Sequence, residues 1–314
     1  MSAASTLESV GTQLLGLDPR LVAAALAFHV CNHMLRSLAW RNVLVAAHPD
    51  GDVRFLRVAS AYAAGVALNA VAPARGGDAA KIALARASIP GSNVATLAGT
   101  MSVLVLFDLV AATLIVLVMG ASGAMPLSPS APAVAAAPGW LAAHPLAAVA
   151  AIAVAAAAVL LLVRHGRPRL RSLWARARRG GAILRTPAAY ARRVALPQAG
   201  AWTCRVGVVM CLLAAFGLPA SVGVAAVVMI VTGASTIVPL TPGGAGTQQV
   251  MLAFALSSAA SATAVVSFSL GMQVAVTAVN ALLGVAAAMA MFGTLRPGAA
   301  IRAGLRAARA GGPA

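Results

Sequence analysis

Two glycine motifs in apolar surroundings contain the polar residues with the clearest chemical potential. The first motif is followed by a lysine, and its residues are Arg75, Gly76, Gly77, Asp78 and Lys81. The second is followed by a glutamine, and its residues are Pro242, Gly243, Gly244, Gly246 and Gln249. Because proline and glycine interrupt helices, each motif predicts a break in the chain that is followed by a new, short helix.

These short helices make both motifs candidate anion sites. We expect one helix from about residue 79 to 87, capped by Asp78, and another that starts at Thr247. Helix N-termini present free N–H groups and the positive end of the helix dipole, which suits a phosphate. Arg75 and Lys81 add positive charge, and each costs about 2.5–3.5 kcal/mol at the bilayer centre unless a partner or ligand offsets it. In the alternative interpretation, Asp78 pairs with Lys81 or Arg75 and ties the hairpin together.

Charged residues also interrupt the apolar runs themselves. Asp108 is an intramembrane carboxylate that either pairs with a basic residue or carries a proton. Arg36 belongs to a polar helix face that must point into the protein or into a wet cleft. The other members of that face are His29, Asn32 and His33. Arg205 is either a basic counterpart in the second half of the chain or a side chain that extends to the membrane surface.

The first apolar run offers two further interpretations. His29 and His33 have the i, i+4 spacing of metal ligands, but no carboxylate or cysteine completes a set on that face. The sequence therefore predicts no metal site and no other cofactor. Trp40 and Arg41 follow the same run and have the pattern of an anchor at the membrane interface.

The composition requires a membrane to position these residues. Of 314 residues, 61% are hydrophobic and 9% are charged, and the mean hydropathy is +0.91, which excludes a soluble fold. The long apolar runs predict an all-α, polytopic membrane bundle rather than a barrel or a chain with a second soluble domain. Runs that satisfy the length of a membrane span are at 21–45, 96–120, 141–163, 197–217 and 262–292, and interrupted runs are at 55–72 and 221–238.

The distribution of basic residues predicts the orientation of the chain. The formal net charge is +17, but the arginines lie mainly in short connections, which indicates membrane topology rather than nucleic-acid binding. The arginine-rich connection 164–196 and the tail are expected in the cytoplasm, and the uncharged connection 121–140 outside. We therefore expect a multi-pass protein of the cell membrane with its N-terminus outside and its C-terminus in the cytoplasm.

In this orientation, the uninterrupted runs already supply the required number of membrane crossings. The interrupted runs are therefore not expected to be full spans. Two re-entrant hairpins of broken helices resolve the count and create an inverted repeat, an arrangement found in transporters. In the alternative, the 19 residues 221–239 form a full span. The predicted organisation is one membrane domain, 1–314, with a first inverted half 1–120, an extra span and basic connection 121–196, a second inverted half 197–292 and a basic tail 293–314.

Several of these motifs resemble the lysylphosphatidylglycerol synthase transmembrane-region family, which is often described as flippase-like. The stretches that carry the resemblance are residues 36–41, 69–81, the span with Asp108, and 242–246. The family usually has a carboxylate and then a basic residue three positions later, as in Asp78 and Lys81. It commonly has an arginine where this chain has Val105 and a glutamate where it has Gln249, so coupling that depends on that glutamate is not expected to carry over.

The resemblance implies movement of a lipid or lipid-linked headgroup between leaflets. Together with the motifs, it predicts a non-enzymatic transporter that binds an anionic phospholipid or a polyprenyl-phosphate-linked substrate at a midplane phosphate site. One alternative is a membrane-embedded transferase or phosphatase, although the deep acids Asp78 and Asp108 have no histidine beside them in the sequence. Another is a non-transporting partner of a lipid synthase or glycosyltransferase.

Overall fold

The computed structural model describes residues 16–70, 76–121, 168–235 and 246–292. These residues form helices joined by short turns, with no β-strand in the described ranges, which confirms the prediction of an all-α membrane bundle. The helices are α1 (Pro19–Ala47), α2 (Phe55–Asn69), α3 (Gly76–Ser88), α4 (Val94–Ala121), α5 (Pro168–Gly180), α6 (Pro187–Ala215), α7 (Val222–Ser235), α8 (Thr247–Ala255) and α9 (Ala262–Phe292).

Four of the described helices are long and apolar enough to cross a membrane. They are α1, α4, α6 and α9, and the shortest of their apolar segments has 26 residues. A helix rises about 1.5 Å per residue, so each exceeds the ~30 Å hydrocarbon thickness. The predicted spans at 21–45, 96–120, 197–217 and 262–292 therefore coincide with helices, whereas the predicted span 141–163 lies outside the described residues.

The two interrupted runs form short helices that pack against each other in pairs. Helices α2 and α3 have 15 and 13 residues, and α7 and α8 have 14 and 9. At about 1.5 Å per residue, none reaches much beyond 22 Å, less than a hydrocarbon core of about 30 Å. In each pair the helices are in contact. Helix lengths of this kind suit re-entrant hairpins, while re-entry and the inverted repeat stay predictions.

Helix α6 contains a wide turn whose cause lies in the sequence. The segment Ala191–Ala195 has π-helical geometry and continues as an α-helix from Leu196. Pro197 has no N–H to donate to the carbonyl of Arg193, four residues earlier. The side chain of Asn42 on α1 donates to that carbonyl instead, at 2.7 Å between Nδ2 and the oxygen. The proline thus leaves an acceptor free, and a neighbouring helix satisfies it.

The described helices belong to two compact units. Of the described residues, unit A comprises 32–70, 76–110, 168–201 and 280–292, and unit B comprises 16–31, 111–121, 202–235 and 246–279. The core of unit A contains Trp40, Leu44, Val58, Tyr62, Leu97 and Leu104. The core of unit B contains Leu212, Leu213, Val228, Leu252 and Phe268.

The expectation that Trp40 anchors the chain at the membrane interface is wrong. Its side chain is completely buried in the unit A core. Its indole Nε1 donates to the hydroxyl of Thr100 on α4, at 3.0 Å. A tryptophan can take such a place because the buried N–H finds a partner.

Candidate functional site

Helices α2 and α3 meet backbone to backbone at the glycines of the first motif. A Cβ atom on Gly77 would collide with the backbone oxygen of Gly65, and one on Gly65 would collide with the side chain of Lys81 and the backbone oxygen of Gly77. Only glycine permits this approach. The two glycines therefore determine the position of Lys81, because their contact places its side chain directly against α2.

The N-terminus of α3 is capped from the preceding helix. The helix begins at Gly76, so Asp78 lies in its first turn, and the prediction that Asp78 caps a helix from residue 79 is wrong. Instead, the N–H of Gly77 donates to Oδ1 of Asn69 at 2.8 Å. The Nδ2 of Asn69 also donates to Oδ1 of Asp78, at 3.3 Å. Asp78 remains favourably placed, since a carboxylate in the first turn complements the helix dipole.

Lys81 is a buried cation with two partners in unit A. It is 5% exposed, and its Nζ donates to Oδ1 of Asp78 at 2.8 Å. The same Nζ lies 4.5 Å from the ring centroid of Tyr62, within the range of a cation–π interaction. The pairing of Asp78 with Lys81 that the alternative interpretation requires is therefore present. Asp78 itself is 39% exposed along its side chain, so the pair has one buried and one accessible member.

Tyr62 connects this pair to a second charged pair. Its hydroxyl accepts a hydrogen bond from Nε of Arg36, at 2.7 Å. Arg36 in turn donates from Nη1 to Oδ1 of Asp108 at 3.0 Å and from Nη2 to Oδ2 at 2.5 Å. The carboxylate of Asp108 thus pairs with a basic residue, one of the two roles that the sequence left open. Bidentate arginine–carboxylate pairs combine charge with fixed geometry.

These five residues form a continuous charge network within unit A. In order of contact, the charge network runs through Asp108, Arg36, Tyr62, Lys81 and Asp78. Two cations balance two carboxylates, so the network is formally neutral, as burial in an apolar fold demands. An anion can bind here without a large charge penalty if it takes the place of a carboxylate as the partner of a cation.

Histidine and asparagine side chains extend the polar surroundings of the charge network. The Nε2 of His33 is hydrogen-bonded to Oδ1 of Asn280 on α9, at 3.0 Å, and the imidazole lies 6.0 Å from the ring of Tyr62 between centroids. Asn32 and His33 are buried, as the predicted polar face requires. In the described ranges, no three histidine, cysteine or acidic side chains are grouped as metal ligands.

The second glycine motif has a different construction, in unit B. Helix α8 starts at Thr247 as predicted, and Gly246 has a φ of 83°, a conformation that favours glycine. The N–H of Gly246 donates to Oε1 of Gln249 at 2.7 Å, and Nε2 of Gln249 donates to Oε1 of Gln273 at 2.8 Å. The chain thus already supplies an acceptor to this helix start. Pro242, Gly243 and Gly244, like Arg75 of the first motif, lie outside the described residues.

Arg205 is part of unit B, whereas the charge network is described within unit A. Its guanidinium carbon lies 5.7 Å from the ring centroid of Trp202, one turn earlier in α6. The sequence-predicted residues that the structure brings together are therefore Arg36, Gly77, Asp78, Lys81 and Asp108.

Three polar participants were not singled out from the sequence. They are Tyr62, Asn69 and Asn280. A signal for the first two exists, because Tyr62, Gly65 and Asn69 are three and seven residues apart and so share one face of α2. For Asn280 no comparable local pattern is present, since its partner is 247 residues away in the chain.

The fold and this site define the class of protein. It is a polytopic α-helical membrane protein with a buried charge network where the short helices α2 and α3 pack together. The family model of the lysylphosphatidylglycerol synthase TM region matches residues 3–284, so the chain belongs to this family, as the resemblance predicted. Neither a curated protein nor a solved structure matches the chain. Family and fold together indicate a multi-pass membrane protein of lipid metabolism or transport.

Proposed function

We propose that this protein is a flippase-like transporter that moves the headgroup of an anionic lipid between leaflets without covalent chemistry. The observation that carries the proposal is the buried ammonium of Lys81, which is held in the charge network beside the accessible carboxylate of Asp78. Intramembrane charges of this kind are costly and characteristically line substrate paths.

A lipid phosphate suits both cations of the network. The compact ammonium of Lys81 binds a phosphate oxygen as a point charge, and the planar guanidinium of Arg36 matches two oxygens at once. Both cations already contact carboxylate oxygens at hydrogen-bond distance. A phosphate offers the same oxygen ligands, so it can replace Asp78 with little change in the geometry of Lys81.

The short helices suggest how the headgroup crosses. We expect α2 and α3 to enter and leave the membrane by the cytoplasmic face and α7 and α8 by the outer face, with the N-terminus outside and the C-terminus in the cytoplasm. The headgroup then passes through protein while the acyl or polyprenyl tails stay in lipid. Suitable substrates are an anionic phospholipid or a polyprenyl-phosphate-linked molecule of the cell membrane.

The expected topology can be tested by cysteine labelling. Asp50 and Pro90 are exposed and lie before α2 and after α3, respectively. In a background without Cys31, Cys204 and Cys211, Asp50→Cys and Pro90→Cys should both react with a membrane-impermeant maleimide from the cytoplasmic face. Labelling from opposite faces would rule out a re-entrant first hairpin.

Transport is tested in liposomes with short-chain fluorescent phospholipids. Wild-type protein should make an inner-leaflet phosphatidylglycerol probe accessible to an external quencher, and Lys81→Met should abolish this exchange. Arg57→Met is the matched control, because Arg57 is an exposed basic residue of the neighbouring helix α2. Equal exchange by wild type and folded Lys81→Met would contradict the proposed site. No exchange by wild type would contradict transport by the isolated chain and would favour a role as the partner of a synthase or glycosyltransferase.

A further inference from the structure

Gln198 is a fully buried side chain whose amide is unpaired at both ends. It is 0% exposed, and in the part of the chain that the structure describes neither Oε1 nor Nε2 has a hydrogen-bond partner. Native proteins rarely leave a buried amide in this state, because its groups lose their bonds to water and gain none in return. A glutamine buried there needs a partner that the described part of the chain does not supply.

The position of Gln198 places it in unit A beside the core. Val194, one turn earlier, is part of the unit A core, and Ala201, three residues later, is also buried. Residues three and four apart share a helix face. Gln198 therefore lies on the buried face of α6, just after the turn widened by Pro197.

The depth of Gln198 is fixed by two contacts between α1 and α6. Asn42 is hydrogen-bonded to Arg193, and Leu35 lies against Gly200. These pairs run in opposite directions along the two helices, so α1 and α6 are antiparallel. Gln198 lies between Arg193 and Gly200 on α6, two residues before Gly200. Two residues after Leu35 on the antiparallel α1 is the level of residues 36 and 37, so Gln198 has the same depth as Arg36 of the charge network.

The donor and acceptor groups of the Gln198 amide determine which ligand group can bind both of them. Nε2 donates hydrogen bonds and Oε1 accepts them. An ionised phosphate can accept from Nε2 but would repel Oε1, whereas a hydroxyl group both donates and accepts. Gln198 thus complements the charge network, whose cations suit the proposed phosphate but offer no acceptor to a neutral hydroxyl.

We propose that Gln198 recognises a hydroxyl group of the transported headgroup, so that this protein prefers anionic lipids whose phosphate carries a hydroxylated substituent such as glycerol or a sugar. The inference rests on the proposed function, because it assigns a second contact to the same headgroup. Gln198 is then a specificity-determining residue at the same depth as Arg36 of the charge network.

The test compares two lipids that differ in hydroxyl groups and share one negative charge. Proteoliposomes receive fluorescent phosphatidylglycerol or fluorescent phosphatidylmethanol, which has no headgroup hydroxyl. Wild-type protein should exchange phosphatidylglycerol faster, and Gln198→Met should reduce the ratio of the two rates about tenfold, the equivalent of about 1.4 kcal/mol. Ser267→Ala is the matched control, because its hydroxyl is also buried and unpaired in the described chain but belongs to unit B. This variant should leave the ratio unchanged.

Thermal unfolding in detergent with each lipid separates the inference from the proposed function. Phosphatidylglycerol should stabilise the wild type more than phosphatidylmethanol does, and Gln198→Met should remove this difference without lowering the melting temperature measured in detergent alone. If this pattern holds without any exchange in liposomes, transport fails but hydroxyl recognition stands. Equal lipid preference in wild type and Gln198→Met would overturn the inference. A lower melting temperature of the variant in detergent alone would also overturn it, since that result means that the amide has a structural partner.

Discussion

Replacing Asp108 by leucine should expose how strongly the charge network depends on its arginine. The variant leaves the guanidinium of Arg36 with Tyr62 but without its bidentate carboxylate. Removing one partner of a buried ion pair typically costs about 3–5 kcal/mol. The side chains of Arg36 and Asp108 are 18% and 27% exposed. Water can therefore partly hydrate the unpaired guanidinium, which reduces the loss of stability. We expect a loss of about 2–3 kcal/mol in the free energy of unfolding.

A double-mutant cycle separates the pair from the packing of each side chain. The cycle uses Arg36→Met, Asp108→Leu and the double variant, with reversible unfolding of purified protein in mixed micelles titrated with sodium dodecyl sulfate. We expect a coupling energy of about 1.5–2.5 kcal/mol, above the average of about 0.6 kcal/mol for interhelical hydrogen bonds in membranes. The double variant should therefore be more stable than the sum of the single losses predicts.

The chain contains a matched control pair. The Nε of Arg54 lies 2.7 Å from Oδ2 of Asp52, but the two side chains are 65% and 56% exposed. Their double-mutant cycle should therefore give a coupling energy of less than about 0.5 kcal/mol. A coupling energy for Arg36 and Asp108 as small as that of the control would refute the reasoning, because it would mean that the pair is not a buried element of the charge network.

Three further substitutions test the hairpin. Gly77→Ala should separate α2 from α3 and abolish lipid exchange, because its Cβ would collide with the backbone of Gly65; retained exchange would show that the close approach is dispensable. Tyr62→Phe should lower the free energy of unfolding by about 1 kcal/mol through loss of the hydrogen bond from Arg36, measured by the same micelle titration. Asn69→Leu should cost about 1 kcal/mol by removing the acceptor at the start of α3, and an unchanged unfolding curve would contradict that capping role.

The long helices were predictable because their signal is local. A run of about 20 apolar residues has to cross the bilayer or be buried, and the short helices follow from the glycine and proline that interrupt two other runs. Helix starts were harder to predict. Asp78 has the residue type of a cap, yet the acceptor comes from Asn69, whose position relative to α3 depends on how the hairpin closes.

The contacts of the site could be predicted only in part. The i, i+3 spacing of Asp78 and Lys81 brings them together on one helix, and this pair is present. The pairing of Arg36 with Asp108 joins residues 72 positions apart, so it depends on the packing of α1 against α4. Tyr62 was overlooked because an aromatic residue in an apolar run is usually core, and here it is both core and the link between two cations.

The central claim is that Lys81 binds an anionic lipid headgroup. Lys81 is the one lysine in the chain, so labelling with ¹⁵N-lysine gives a single ammonium signal. Titration of the protein in micelles with phosphatidylglycerol should shift the Nζ resonance saturably, as the phosphate replaces Asp78, whereas phosphatidylcholine, which is zwitterionic, should leave it in place. An Nζ resonance that does not move with phosphatidylglycerol, or that moves equally with both lipids, would contradict a headgroup site at Lys81.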